Sequence, residues 1–477
     1  VIDTTEPESP GWWLDRLFKR LGDRRGHYDH LDRYYNNENG IPVGADKQVK
    51  QAYQRLMDVA RTNFAELVVE AVRERMQPTG FRTGAAGDEL GDKDAWAIWQ
   101  ANSLDADSGL VHTASLSMGL GLTIVGPPPE KGERPLITPE DPREVIVETD
   151  PRRRRKVLAG LKVFRDDVAS ADRAFVYLPG AVWEANRAVP AQSADPWGDN
   201  SLIGAGGWEW VTGREVPVRR VPVVPFPNRP RLTSARTRGE FETHLSVLDR
   251  INYSVLERLE IATLQAFRQR ALKGGPRTDE HGNEIDYDDI FASDPGAIWH
   301  LPETAEMWES GQVDLGPILQ GIRHDIQDLA AVTRTPLYYL SPDSSSGSAE
   351  GAALAREGLV FKAKDRIVEA GEGWEQTMSL AFEFAGDDER AARSAMETIW
   401  APPERWSLAE RADAAAKAMA GGMSRREALK TVWQKTPTEI EQIEADLMAE
   451  ALSAQGAEAI AALVTGGTGT GSQPPVG

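Results

Sequence analysis

The sequence predicts an α+β protein built from several domains. Three observations carry that reading. Between Trp96 and Leu232, short apolar runs alternate with turn residues, the pattern of an antiparallel sheet. Two stretches with helical periodicity, residues 240–272 and 317–333, flank a small acidic insert. The C-terminal part is alanine-rich and carries repeated helix-start signals.

Length and composition set the frame. At roughly 150 residues per domain, 477 residues predict about three domains. An apolar content of 40% permits a sizeable core, and 14 tryptophans favour cores and subunit interfaces. The chain has no cysteine, which excludes disulfides, thiol catalysis and cysteine-based zinc sites. Its net charge of −20 argues against a protein whose whole surface grips nucleic acid, because such affinity comes from neutralising phosphates. The segment from Val1 to Pro10 is acidic and polar, unlike a signal peptide. No long apolar run predicts a membrane-spanning helix.

The elements follow in order. Trp12, Trp13, Leu14, Leu17, Phe18 and Leu21 predict a short opening helix, followed by the polar break 36–40. One longer helix is predicted from Asp46 to Met76, with Val59 in its apolar stripe and Pro78 and Gly80 ending it. Residues 94–104 read as a helix. Strands are predicted at 120–125, 144–148, 157–164, 173–178 and 207–211. The stretch from Val216 to Pro230 holds too many prolines for a helix or a sheet centre and reads as an extended connector.

Beyond the connector, a helix from Glu240 to Leu272 is predicted to stop at Gly274-Gly275-Pro276. The insert from Asp279 to Asp314 has many acidic residues and no Lys or Arg. His281-Gly282-Asn283 reads as a hairpin turn and 297–301 as a strand. The return helix runs from Pro317 to Thr333. A small, polar loop follows, then a long helix from Ala349 to Phe384. Ser407 with Glu410, Ser424 with Glu427, and Thr436 with Glu439 are capping-box candidates, and the tail from Thr465 reads as disordered.

Enzyme chemistry finds little support. Gly-Lys does not occur, so there is no phosphate-binding loop of the motor type, and Gly-x-Ser-x-Gly is absent as well. The acidic insert lacks the sixth-position glycine and closing glutamate of a calcium loop. His27 and His30 have metal-like spacing, but Tyr28 and Asp29 read as surface residues and no further ligand is evident. The residues therefore predict no catalytic site, no metal and no cofactor. The basic run Arg152 to Lys156 reads mainly as a solvated turn between strands, with an acidic or nucleic-acid partner as the other possibility. The pairs Trp96/Trp99 and Trp208/Trp210 read as core before interface.

The order of these parts resembles the portal (head–tail connector) family of tailed bacteriophages, in the type common in phages of actinobacteria. Two stretches carry the resemblance. One is the connector Val221-Pro222-Val223-Val224-Pro225-Phe226-Pro227-Asn228. The other is Thr335-Pro336-Leu337-Tyr338-Tyr339-Leu340, then a Ser/Gly loop, then a helix holding Glu350 and Ala352. One departure is Gly239-Glu240-Phe241, where members often show Gly-x-Ser.

The resemblance implies a multidomain portal fold: α/β wing, two-helix stem, small α/β clip, long helix beside a channel loop, and helical crown. It divides the chain into an N-terminal arm (1–45), wing (46–235), first stem helix (236–273), clip (274–316), second stem helix (317–335) and channel loop (336–348). A long helix returning to the wing (349–406), a crown (407–464) and the tail (465–477) complete it. It implies a structural ring, usually of twelve subunits, at one capsid vertex of the virion, assembled in the host cytoplasm. Its partners would be its own copies, the major capsid protein, the terminase large subunit, a head–tail adaptor and passing double-stranded DNA read without sequence specificity; no membrane is involved.

The channel loop would use Ser341, Asp343, Ser344, Ser345, Ser346, Gly347 and Ser348, small groups that touch DNA and yield. The clip would present Asp279, Glu280, His281, Glu284, Asp286, Asp288 and Asp289 to the terminase and adaptor. The competing reading is another phage head or adaptor component without a DNA channel.

Overall fold

The computed structural model describes residues 2–40, 56–85, 91–188, 207–233, 236–266, 270–274, 278, 281–285, 306–309, 311, 313–341, 349–404, 408–433, 435 and 437–466. Helix and strand are mixed throughout, as an α+β class requires. The chain divides into two compact units: residues 1–39, 63–244 and 330–477 form the first, and residues 40–62 and 245–329 the second.

The first unit opens with α1 (Pro10–Tyr35), capped by the Ser9 side chain accepting from Trp12 N–H. This helix is much longer than the predicted short one, because Tyr28, Leu31 and Tyr34 continue its buried stripe. Tyr28 is therefore a core residue and not the surface residue expected. The predicted helix from Asp46 to Met76 is interrupted. Residues 56–60 are helical, 61–63 are not, and α2 (Phe64–Arg73) starts afresh with Asn63 as its cap. Asn63 Oδ1 accepts from Glu66 N–H, satisfying a donor left open at the new start. Val59 is 72% exposed and belongs to no core stripe.

Pro78 and Gly80, read as helix stops, lie in β1 (Pro78–Arg82). Then come α3 (Lys93–Ala101), α4 (Leu104–Met118), β2 (Leu120–Gly126) and β3 (Leu136–Glu140). A five-stranded antiparallel meander follows: β4 (Val145–Asp150), β5 (Arg153–Asp166), β6 (Ala171–Leu178), β7 (Ala181–Ala188) and β8 (Glu209–Glu215). The face of this sheet carrying Ile146, Ala159, Leu161, Val163, Ala174, Val176 and Ala185 packs against Leu14, Leu17, Phe18 and Leu21 of α1. The basic run is not a turn. Only Pro151 and Arg152 turn, and Arg153 to Lys156 form the exposed start of β5.

The proline-rich connector is also more ordered than expected. Residues Val223–Pro227 form β9, which pairs antiparallel with β2 at the edge of the three-stranded sheet β3-β2-β9. An edge position reconciles strand and proline, since the missing N–H groups need face no neighbour on the open side. Val221 and Val223 pack with Leu120, Leu122, Ile124 and Val145 in a second core.

The second unit holds α5 (Leu245–Ala266), β10 (Arg270–Lys273), β11 (Glu306–Glu309) and most of α6 (Gly316–Thr333). The predicted helix from Glu240 to Leu272 is shortened at both ends. Residues Glu242–His244 form a 3-10 turn, and Arg270–Lys273 leave the helix to pair with Glu306–Glu309. Thr278 and Glu284 form an isolated antiparallel bridge around a turn in which Gly282 takes φ 85°, as a hairpin there requires. The predicted strand at 297–301 lies outside the described residues.

Back in the first unit, the four-residue α7 (Leu337–Leu340) precedes α8 (Ala349–Ala385), a helix of 37 residues. The short strand β12 (Glu397–Trp400) pairs with β1. Three further helices follow among the described residues: α9 (Leu408–Ala420), α10 (Arg425–Thr431) and α11 (Pro437–Gly466). The Ser424 hydroxyl accepts from Glu427 N–H, as the capping pattern predicts. Ser407 and Thr436 lie outside the described residues, while α11 runs past the expected start of the disordered tail at Thr465.

Candidate functional site

Two of the chain's four passages between the units lie at 244/245 and 329/330. On the first-unit side of those passages, three segments meet in a buried ionic cluster. Glu240 comes from the connector's end, Thr333 from the end of α6, and Lys362 and Arg366 from α8. Glu240 Oε2 lies 2.9 Å from Lys362 Nζ, and Glu240 Oε1 accepts from Arg366 Nε at 2.6 Å and from Asn228 Nδ2 at 2.9 Å. Lys362 Nζ also donates to the Thr333 carbonyl at 3.0 Å.

Backbone approach makes the cluster possible. Glu240 N–H donates to Leu116 O, and Gly239 sits so close to the Ser117 carbonyl that a β-carbon there would overlap it. Asn228, the last residue of the proline-rich motif, closes the loop 229–238 by donating to Arg238 O at 2.8 Å.

Burial alone would push the Glu240 carboxyl up. The adjacent Lys362 and Arg366 charges and their hydrogen bonds outweigh it and hold the carboxyl down at about 2. Burial pushes Lys362 below the usual lysine range, against the pull of Glu240. One carboxylate against two cations thus ties the ends of three segments together.

A neighbouring anchor fixes the start of the serine-rich loop. Tyr339 of α7 accepts from Arg75 Nη2 at 2.9 Å, with the guanidinium 5.8 Å from the tyrosine ring centre. Leu340 is buried, and Ser341 N–H donates to Leu337 O. Of the predicted channel-loop residues, Ser341 is therefore at the end of an anchored turn. Asp343, Ser344, Ser345, Ser346, Gly347 and Ser348 lie outside the described residues.

Within the second unit, α5 and α6 run side by side and antiparallel. Arg250 Nη2 lies 2.8 Å from Asp325 Oδ1, and Gln265 Nε2 donates to Val313 O near the opposite ends. Of the predicted clip residues, His281 and Glu284 are exposed on the hairpin. Asp279, Glu280, Asp286, Asp288 and Asp289 lie outside the described residues. The ladder Arg270–Lys273 with Glu306–Glu309 forms the described root of the insert.

Other residues singled out in the sequence have structural explanations. His27 Nε2 lies 3.4 Å from Glu242 Oε1, while His30 packs edge-on against Tyr34. Trp99 and Trp208 are fully buried. Trp99 meets Trp374 at 4.9 Å, and Trp208 lies under Arg187 at 4.7 Å. Two groups escaped sequence reading: the Glu240 cluster, and His112, which is sealed in the core and accepts from Trp374 Nε1 at 2.9 Å. The sequence carried no signal toward the first: at Gly239-Glu240-Phe241 the departure is Phe241 in the serine position, and Glu240 fills the variable one.

The class of chain so defined is a mixed helix-and-strand protein with an antiparallel helix pair around an acidic insert. It matches the family model described as phage portal protein, SPP1 Gp6-like, over residues 14–451, and it belongs to that family. The portal proteins of Mycobacterium phages L5 and D29 are each 28% identical to it, over 430 and 429 residues, covering 87% of this chain and 84% of each relative. A chain from the neck of an empty gene transfer agent particle aligns with a TM-score of 0.48 at 11% identity, over 81% of this chain and 94% of that one.

Proposed function

We propose that this chain is the ring subunit that forms the DNA channel at one vertex of a tailed-phage capsid. The observation that supports this most is the family match across residues 14–451, joined to the antiparallel pair α5/α6 around an insert without positive charge from Asp279 to Asp314. In this reading α5 and α6 form the stem, and residues 274–316 are the clip that docks the terminase large subunit and later the head–tail adaptor. The first unit contributes the wing, which meets the major capsid protein, and residues 407–464 the crown. Twelve copies is the number the family implies.

The chemistry follows from moving a polyanion. Every phosphate neutralised adds affinity and hence friction. A loop of Ser344, Ser345, Ser346 and Ser348 offers neutral hydroxyls, and Gly347 lets its backbone bend. The Arg75–Tyr339 contact would give that yielding loop a fixed root. The carboxylates of the insert would draw a basic face of the packaging ATPase and repel DNA. No turnover is required of the chain itself.

Light scattering with negative-stain microscopy of the purified chain tests the proposal. Hollow rings of roughly half a megadalton or more, against a 52.4 kDa subunit, are the expected result. A chain that stays monomeric, or assembles without a central opening, contradicts it. Asp286→Asn/Asp288→Asn/Asp289→Asn should lose terminase binding and keep the rings.

A further inference from the structure

A chain of net charge −20 carries a concentrated band of positive charge in its first unit. The exposed start of β5, Arg153 to Lys156, lines a cleft of about 620 Å³ together with Arg219, Arg220 and Arg393. A second cavity, of about 740 Å³ above the Glu240 cluster, is lined by Arg229, Arg231, Arg238 and Arg334, with Asp365 and Glu369 among its walls. Arg154 joins the two, donating to the carbonyls of Arg231 at 3.0 Å and Leu232 at 2.7 Å.

What matters is which of these charges are already neutralised. Arg155 pairs with Glu369, Arg220 with Glu383, and Arg393 with Glu372. Those pairs shape the walls. Among the described residues, no carboxylate forms an ion pair with Arg154, Lys156, Arg219, Arg229, Arg231 or Arg334. Arg154 is satisfied by neutral carbonyls, which leaves its charge uncompensated.

Backbone geometry adds a second observation. Arg229 and Arg334 both take positive φ, 49° and 54°, a conformation that non-glycine residues rarely adopt. Such residues persist only where their surroundings over-determine them, and they gather at binding sites. Here both line the same cavity. At the neighbouring His244, burial first and then the charges of Arg229 and Lys362 hold the imidazole below the usual histidine range, against the pull of Glu240.

Like charges gathered along adjoining clefts repel one another until an anion arrives. Guanidinium forks match phosphate oxygens in pairs, and arginine dominates this set over lysine. Six cations outside ion pairs across two adjoining clefts fit an extended polyanion better than a single small one. We propose that this band binds the phosphate backbone of duplex DNA as a holding contact, separate from the serine-rich loop and the acidic insert. The portal reading supplies the reason for DNA to be present; the charge geometry stands without it.

The test is binding of a short, fluorescently labelled duplex by the full chain, followed by anisotropy between about 50 and 200 mM salt. The band variant is Lys156→Gln/Arg219→Gln/Arg231→Gln, three exposed side chains outside every ion pair described above. The control is Lys131→Gln/Arg323→Gln/Arg425→Gln, exposed cations elsewhere. For every phosphate no longer neutralised, the salt slope should fall by about 0.9, so the band variant loses about 2 to 3 from the slope and the control keeps it. The loss should be the same for duplexes of unrelated sequence.

Absence of DNA binding, or equal losses from both variants, overturns the inference. So does a band variant that binds DNA normally but no longer self-associates in light scattering, since the band would then face the acidic surface of a second copy. Band-dependent DNA binding by a chain that never forms rings would leave this inference standing and remove the portal reading instead.

Discussion

Lys362 Nζ lies 2.9 Å from Glu240 Oε2, and the two side chains are only 5% and 2% exposed. Removing one partner of such a pair leaves a charge buried without compensation, at a cost of about 3–5 kcal/mol. Glu240→Gln should therefore lower the unfolding free energy in denaturant titrations by that amount, because both Lys362 and Arg366 lose their counter-charge. Replacing Glu240 and Lys362 together by methionine should recover part of the loss. Acid has a related effect. The folded carboxyl titrates near 2 against an ordinary 4.5, so its contribution is complete above about 4.5 and falls away as pH drops through about 2.

His112 gives a different pH window. Full burial, then the charge of Arg73, press its pKa down to about 3 from 6.5, against a backbone hydrogen bond at Met76. Its Nε2 accepts from Trp374, so the ring is neutral with the proton on Nδ1. A depressed histidine stabilises the fold fully above 6.5 and loses that contribution as pH falls toward 3, by up to about 1.4 kcal/mol per pH unit. Between pH 6.5 and 4.5 the loss precedes that of Glu240. His112→Gln, which keeps an acceptor for the indole, should flatten stability across this window in urea titrations.

Two glycines of α8 should respond to alanine with opposite signs. Glycine in a helix interior costs about 1 kcal/mol relative to alanine. At Gly358 a β-carbon would meet no atom within 4 Å, so Gly358→Ala should raise stability by up to that amount. At Gly373 the β-carbon would overlap the Phe226 ring, which packs edge-on against Trp374 at 4.8 Å. Overpacking there costs about 1–3 kcal/mol, so Gly373→Ala should be net destabilising in thermal melts.

These sites also show where sequence reading succeeds. The long helices and most strands of the meander announce themselves by periodicity, since one buried face repeats along each. Helix α4 does not, because its inner face carries Ser108, His112 and Ser117 among the apolar residues. Strand β10 was absorbed into a predicted helix because Arg270, Leu272 and Lys273 suit either state until Glu306–Glu309 pairs with them. The proline-rich stretch hid β9 for a similar reason: the edge position that admits proline is a tertiary fact.

The ionic hub was beyond local reading. Glu240 meets Lys362 and Arg366 only after the intervening chain has gone out through α5 and come back through α6. The basic run at Arg152 to Lys156 was visible as charge, but its use depends on Arg219, Arg229 and Arg231 arriving from the connector.

The most direct measurement is a cryo-electron-microscopy reconstruction of the assembled full chain. A closed ring around an axial opening, with α5 and α6 beside it and residues 341–348 facing the lumen, is the predicted result. Subunits that do not close around an opening, or a ring whose lumen those helices and that loop do not approach, would contradict the account.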